Sequence, residues 1–257
     1  MASEALIRVD LHTHTWYSAD ALTSPAELVR RARVAGLNRV AVTDHGSIAG
    51  ALEAQAEDPD LVIVGEEIRC ACGTDIIGLF LQEWIAPGQD LEEAALQIRR
   101  QGGVVYAPHP YSYITIPGRR AARVMAVADV VEVFNSRAVL PMWNRRAREA
   151  QVRLGIPGVA SSDGHMPWEL GRGSTEMPWF QDAEGFLSSV AEARIGTAQT
   201  GSAFLHLLSF TLQGFRTLLG RGHGLLPWPG RANDSRGAEQ RTPRDGIMAE
   251  LGESPIS

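Results

Sequence analysis

Short apolar runs recur along the chain, each followed by a polar cluster and then by a stretch with helical spacing. The runs at residues 5–9, 39–43, 61–64, 104–107, 130–134 and 157–160 read as buried strands. Between the first two, Ser24 precedes Pro25, with Glu27 three positions on, the pattern of a capped helix start. Leu28, Ala32 and Ala35 then recur at helical spacing before Gly36. An alanine-rich helix to about residue 57, a helix from Asp90 and Glu93 to residue 101, and one ending near residue 128 follow the next strands. Residues 141–154 read as a helix with Arg145, Arg146 and Arg148 outward, and residues 182–193 as another. Strand and helix alternate through short connections, which predicts an α/β fold with a largely parallel sheet. One interruption stands out: residues 68–72 and 75–81 read as two strands joined by Gly73-Thr74, a hairpin. Residues 204–219 read as an apolar strand–helix or helix, expected to close a domain of residues 1–221. From residue 222 the composition turns to Gly, Pro, Arg, Asp and Ser, expected of a disordered tail over 222–257.

Composition adds limits. The 257 residues, 44% hydrophobic and 21% charged, suit one sizeable globular core. A formal net charge of -6 argues against non-specific binding to polyanions. It leaves room for a small anionic substrate held through metal ions. Cys70 and Cys72 are too close on one strand for an ordinary disulfide, so reduced thiols and a cytoplasmic location are expected. The first residues have neither a basic nor an apolar leader pattern. The stretch 203–219 is broken by His206, Gln213 and Arg216, so no membrane association is expected.

The chemistry-bearing residues fall where the strands end. His12 and His14 stand at i and i+2, which points both side chains the same way along a strand. His45, His109 and His165 follow later strands, so five of seven histidines share one relation to the sheet, with His206 and His223 outside it. Asp20, Asp44, Glu67, Asp75 and Asp163 interleave with them. In barrels of βα units, the rim at the strand C-termini is where active sites assemble. Mixed imidazole and carboxylate donors at one rim suit a multinuclear hydrolytic centre. Arg137 and Asn135, just past another strand, are candidates for contacting a phosphate; Arg119 and Arg120 are weaker ones.

The segments Asp10-Leu11-His12-Thr13-His14, Thr43-Asp44-His45, Gly65-Glu66-Glu67, Pro108-His109-Pro110 and Ser162-Asp163-Gly164-His165 resemble, in this order, the motifs of the polymerase and histidinol phosphatase (PHP) superfamily. The resemblance covers about the first 200 residues and is nearest to stand-alone phosphoesterases related to the TrpH group. It implies a distorted (β/α)7 barrel with two or three divalent ions, Mn, Fe or Zn, at the rim. Carried over by position, His12, His14, Glu67 and Asp163 hold a first ion. Glu67 bridges to a second held by His109 and Asp75, and Asp20, His45 and His165 form a third site. Asp20 and Asp75 stand where relatives have histidines, which makes the site harder and favours manganese or iron.

The activity so implied is phosphate-ester hydrolysis, either as a phosphomonoesterase or as a 5′-nucleotide-releasing exonuclease. The substrate is then a phosphorylated small molecule, a nucleotide or an oligonucleotide. Two cations about 3.5–4 Å apart lower the pKa of a bridging water and clamp phosphoryl oxygens. His165 or His45 then protonates the leaving oxygen. The alternative is a catalytically silent metal-binding module, whose ligand positions would be eroded; here each is filled. Amide hydrolysis by a related barrel ranks last, because such sites use a lysine and all 24 basic residues here are arginines.

Overall fold

The computed structural model describes residues 5–112 and 117–201, with Thr211. The stretch expected to close the domain at 204–219, with His206, and the expected tail from 222, with His223, lie outside the described residues. In chain order the elements are β1 (Ile7–Thr13), α1 (Pro25–Val34), β2 (Arg39–Val42), α2 (Ala49–Glu57), β3 (Val62–Arg69), β4 (Asp75–Leu79), α3 (Leu91–Arg100) and β5 (Val104–Ala107). They continue through α4 (Pro117–Val127), β6 (Val130–Asn135), α5 (Pro141–Leu154), β7 (Gly158–Ser161), β8 (Gly173–Met177), α6 (Ala183–Val190) and β9 (Arg194–Ala198).

The strands form one sheet in the order β7-β6-β5-β4-β3-β2-β1-β8-β9. Pairing is parallel within β1–β2–β3 and within β5–β6–β7, and antiparallel on both sides of β4. The antiparallel β8 and β9 extend the sheet beyond β1. The sheet curls until β7 packs against β1, β8 and β9, giving a nearly closed, distorted barrel. Ser162 N donates to Asp10 Oδ1 at 3.0 Å and Ala160 N to Thr175 Oγ1 at 2.8 Å across this seam.

Alternation along the strands sorts two cores. Val40, Val42, Val62, Val64, Val105 and Val131 face outward under the helices, meeting Leu28, Ala51, Leu91, Ala94 and Ile98. Val9, Leu11, Ala41, Ile63, Ile77, Val104, Tyr106 and Val130 fill the barrel interior. Phe80, Phe180 and Phe186 pack edge-on or tilted among themselves as part of that filling, with ring centroids 5.2–6.2 Å apart.

The α1 start is capped as expected, since Ser24 Oγ accepts from Glu27 N at 3.2 Å. The Glu27 carboxylate turns instead to Arg30 and Arg31. Three expectations are corrected. β1 continues through Thr13 and so carries His12 within the strand. β3 runs unbroken to Arg69, because pairing with β4 from Gly65 to Arg69 holds it extended past Glu67. β8 and β9 were not foreseen: the sequences Gly-Ser-Thr-Glu-Met and Arg-Ile-Gly-Thr-Ala have no apolar run, and their order comes from pairing of β8 on β1 and of β9 on β8. Among the described residues no helix is long and apolar enough to cross a membrane.

Closure depends on a missing side chain. A Cβ on Gly173 would lie 2.0 Å from Ser161 O, where β8 crosses the end of β7. Gly173→Ala is expected to lower stability by about 1–3 kcal/mol, since backbone on both sides must move. Urea unfolding of the two proteins measures it, and an unchanged midpoint would contradict this account of the seam.

Candidate metal centre

Backbone pairing carries the rim residues to one place. β1 shifts register against β2 between Asp10 and Thr13, an irregularity of the kind that re-aims side chains beside active sites. Leu11 therefore packs in the interior while the neighbouring His12 reaches the carboxylates. His14 N donates to Gly164 O at 2.8 Å, and Leu22 N to His165 O at 3.0 Å, pinning the end of β1 to the loop after β7. Glu67 N donates to Asp44 O at 3.2 Å and Gly46 N to Glu67 O at 3.0 Å, so His45 is held beside Glu67. Adjacent in sequence, Glu66 points to the other side, where Ile85 N donates to it at 2.9 Å. Burial raises the Glu66 carboxyl to about 8, opposed by that single hydrogen bond.

Glu67 is the hub. Its Oε2 lies 3.1 Å from His45 Nδ1, 3.3 Å from His12 Nε2 and 3.4 Å from His14 Nε2, and its Oε1 lies 3.1 Å from His109 Nε2. Asp163 Oδ1 is 3.3 Å from His14 Nε2, 3.6 Å from His12 Nε2 and 3.4 Å from His165 Nδ1. Asp20 Oδ2 faces His165 Nε2 at 3.3 Å and His45 Nε2 at 3.6 Å. Three groups bring donor atoms close enough to share an ion: His12, His14 and Asp163; His12, Glu67 and His109; His14, His45 and His165.

The donor set fits divalent cations on two observations. His14 Nε2 is buried and without a hydrogen-bond partner although two carboxylates lie within 3.4 Å. Burial, joined by the neighbouring His165 and His45, lowers this imidazole to about 3, so it stays neutral with a lone pair available. His12, His45 and His109 show the opposite shift. Burial pulls His12 down, but Asp163, Glu67 and Glu132 raise it well above its ordinary value. His109 reaches about 9, burial being outweighed by its hydrogen bond and charge interaction with Glu67. Protons thus occupy positions where the carboxylates call for positive charge.

Two site residues sit in left-handed backbone, His109 at φ 25° and Asp163 at φ 52°. Such conformations cost roughly 1–3 kcal/mol each for non-glycine residues and persist where surrounding structure enforces them. Asp44 has a supporting role. It is buried and accepts from Thr15 N, Thr15 Oγ1 and Ser18 Oγ at 2.6–2.7 Å, ordering the loop after His14.

Three expected roles need correction. Asp75 joins none of the three groups; its carboxylate pairs with Arg69 where β3 and β4 face each other. Arg137 is only 7% exposed, and its Nη1 lies 3.1 Å from both oxygens of the buried Glu169. It braces the loop of His165, since Glu169 Oε2 also accepts from His165 N and Met166 N at 2.9 Å. Asn135 Nδ2 donates to Glu132 Oε2 at 2.9 Å and to Asp163 Oδ2 at 3.1 Å, so it orders carboxylates. Arg119 lies exposed on α4, while Arg120 reaches the Gly73 carbonyl.

Glu132 was missed. It is 1% exposed on β6 and touches His12, Tyr106, the His109 backbone and Asn135. The available signal was a single charge inside the apolar run Val-Val-Glu-Val-Phe, at the inward position of the alternation.

The shifts set a stability profile. His109 is raised from 6.5 to about 9, so its contribution is complete below pH 6.5 and is lost as pH rises through 9. Glu66 adds a loss between 4.5 and about 8. His14, lowered to about 3, acts in the opposite sense, withdrawing stability as pH falls from 6.5 towards 3. Chelator-treated protein is therefore expected to lose thermal stability from pH 6.5 to 9. Manganese should remove the His109 share, because ligation replaces the proton, and leave the Glu66 share. Melting curves with and without manganese check this, and identical slopes would contradict it.

Comparison with known proteins places this geometry. Residues 10–106 match the model of the PHP domain and residues 141–195 that of the PHP-associated family. An uncharacterized protein of Methanocaldococcus jannaschii is 37% identical over 144 residues, 51% of this chain and 82% of its own. Among solved structures, a Bacteroides vulgatus two-domain protein containing a "predicted PHP-like metal-dependent phosphoesterase" superposes with TM-score 0.62. It is 19% identical, over 81% of this chain and 70% of its own. The lesion-specific endonuclease PfuEndoQ of Pyrococcus furiosus superposes with TM-score 0.54 at 16% identity, over 74% of this chain and 57% of its own. With its motif-bearing strands, its distorted barrel and its rim of histidines and acids, the chain belongs to the PHP superfamily.

Proposed function

We propose that the protein is a metal-dependent phosphoesterase. The observation that carries this is the convergence of five imidazoles and three carboxylates on one rim, around a neutral, unpartnered His14 Nε2. His12, His14, Glu67 and Asp163 would hold one divalent ion, and Glu67, with its second oxygen, and His109 would hold another. His45, His165 and Asp20 would hold a third. Such ions, when bound, supply an activated water at neutral pH and positive charge for phosphoryl oxygens.

The remaining work falls to side chains of the rim. His165 donates from Nδ1 to the carbonyl of Asp163, two residues earlier, at 2.8 Å, which leaves Nε2 facing Asp20. His45, whose side chain is 27% exposed, is the most open imidazole of the group. With Asp20 beside both rings, His45 and His165 are placed to hold a proton for the leaving oxygen whenever they do not ligate an ion. Asp44 and Glu169 fix the loops that carry them, which limits reorganisation during the reaction.

Asp163→Ala or His12→Ala is expected to abolish turnover by manganese-loaded protein while the melting curve stays cooperative. Full retained activity would sink the proposal. A 5′-phosphorylated RNA oligomer, with products separated by chromatography, distinguishes the two ester classes. Inorganic phosphate alone marks a phosphomonoesterase, and mononucleotides released from the 5′ end mark an exonuclease.

A further inference from the structure

We infer that Glu132 is the positioning residue that decides which nitrogen of His12 carries a proton, and so ties two ion-binding groups of the rim into one unit. The inference rests on the metal-centre reading above.

Four donors meet this one carboxylate. Its Oε1 accepts from Tyr106 OH at 2.9 Å and faces His12 Nδ1 at 3.3 Å. Its Oε2 accepts from His109 N at 2.6 Å and from Asn135 Nδ2 at 2.9 Å. With Tyr106 OH, His109 N and Asn135 Nδ2 all donating to it, the carboxylate serves as an acceptor, so His12 Nδ1 carries a proton towards it. Nε2, the position where a bound ion would take the place of the second ring proton, then faces Glu67 Oε2 at 3.3 Å and Asp163 Oδ1 at 3.6 Å. His12 belongs to two of the three groups, one with His14 and Asp163 and one with Glu67 and His109. The other oxygen of Glu132 holds the backbone of His109, which stands at φ 25°. One side chain thus fixes a ring in the first group and a strained peptide in the second.

Glutamine has the same shape but one oxygen. If that oxygen meets His109 N, the amide NH2 meets His12 Nδ1, which must then accept. The ring proton moves to Nε2 and blocks the lone pair. Reversed, the amide opposes the His109 N–H donor to donor. Tyr106 is the natural control, because its hydroxyl lies 2.9 Å from Ser161 Oγ as well and leaves the carboxylate intact when removed.

The test measures manganese and zinc affinity of the full chain by chelator competition, with thermal unfolding alongside. Glu132→Gln should weaken the ions of the two His12 groups about 10–100-fold and leave the His14–His45–His165 group unchanged. Glu132→Asp, which keeps an acceptor, should recover part of the loss. Tyr106→Phe should lower the melting temperature without weakening affinity. In zinc-loaded protein, nitrogen NMR should find His12 protonated at Nδ1, and Glu132→Gln should abolish that signature. Wild-type affinity in Glu132→Gln, or an equal loss in Tyr106→Phe, overturns the inference while leaving the metal centre standing. A wild-type chain that retains no ion overturns both.

Discussion

Glu67 stands at the centre of the rim because four imidazoles, from β1, from the end of β2 and from the end of β5, approach its two oxygens within 3.4 Å. A carboxylate that is 2% exposed, amid rings that are buried or half-buried, loses its hydration and must be compensated by positive charge. Protons on His12, His45 and His109 supply that charge in the ion-free protein, raising all three imidazoles against the effect of burial. The same field lowers Glu67 and Asp163 well below the carboxylate range despite their desolvation. An arrangement that holds protons so firmly at these positions is one that divalent ions can occupy in their place.

The barrel keeps such a cluster from relaxing. A regular parallel barrel would present the strand ends evenly. Here the irregularity in β1, the antiparallel β4 and the left-handed residues His109 and Asp163 depart from regularity where the donors sit. Each departure is enforced by backbone or carboxylate partners: Gly164 O for His14, Glu132 for His109, and Asp44 and Ser18 for the loop between His14 and Asp20. Beneath them, the interior packing of Leu11, Ile63, Ile77 and Tyr106 gives a floor that cannot flex without opening cavities. Charged groups that would separate in water are thus held together by apolar packing and backbone hydrogen bonds.

Much of this was legible in the residues, for identifiable reasons. Apolar runs followed by His or acid marked the strands and their C-terminal ends, and Ser24-Pro25 marked the start of α1. Such signals are local: a strand must bury its apolar face and a helix must cap its first turn. The histidines could be grouped because side chains two apart on a strand point together and because successive parallel strands place their ends at one rim. His12, His14, His45, His109 and His165 follow from that alone.

The partners of each side chain were not local and were decided by the tertiary structure. Asp75 stands one β-pair from Arg69 and is neutralised there, which no spacing rule reveals. Arg137 has the sequence position of a phosphate ligand, but a glutamate 32 residues on closes over it. Glu132 is the single charge in an otherwise apolar run, and only curling of the sheet brings His12, 120 residues earlier, to its carboxylate. β8 exists as a strand because β1 offers an edge and Gly173 lets the backbones cross, and β9 because it pairs in turn on β8. The sequence by itself determined which residue types gather at the rim, since alternation and strand order are properties of the chain. Which charge meets which was settled only when the barrel closed, because burial and opposing charge act through space.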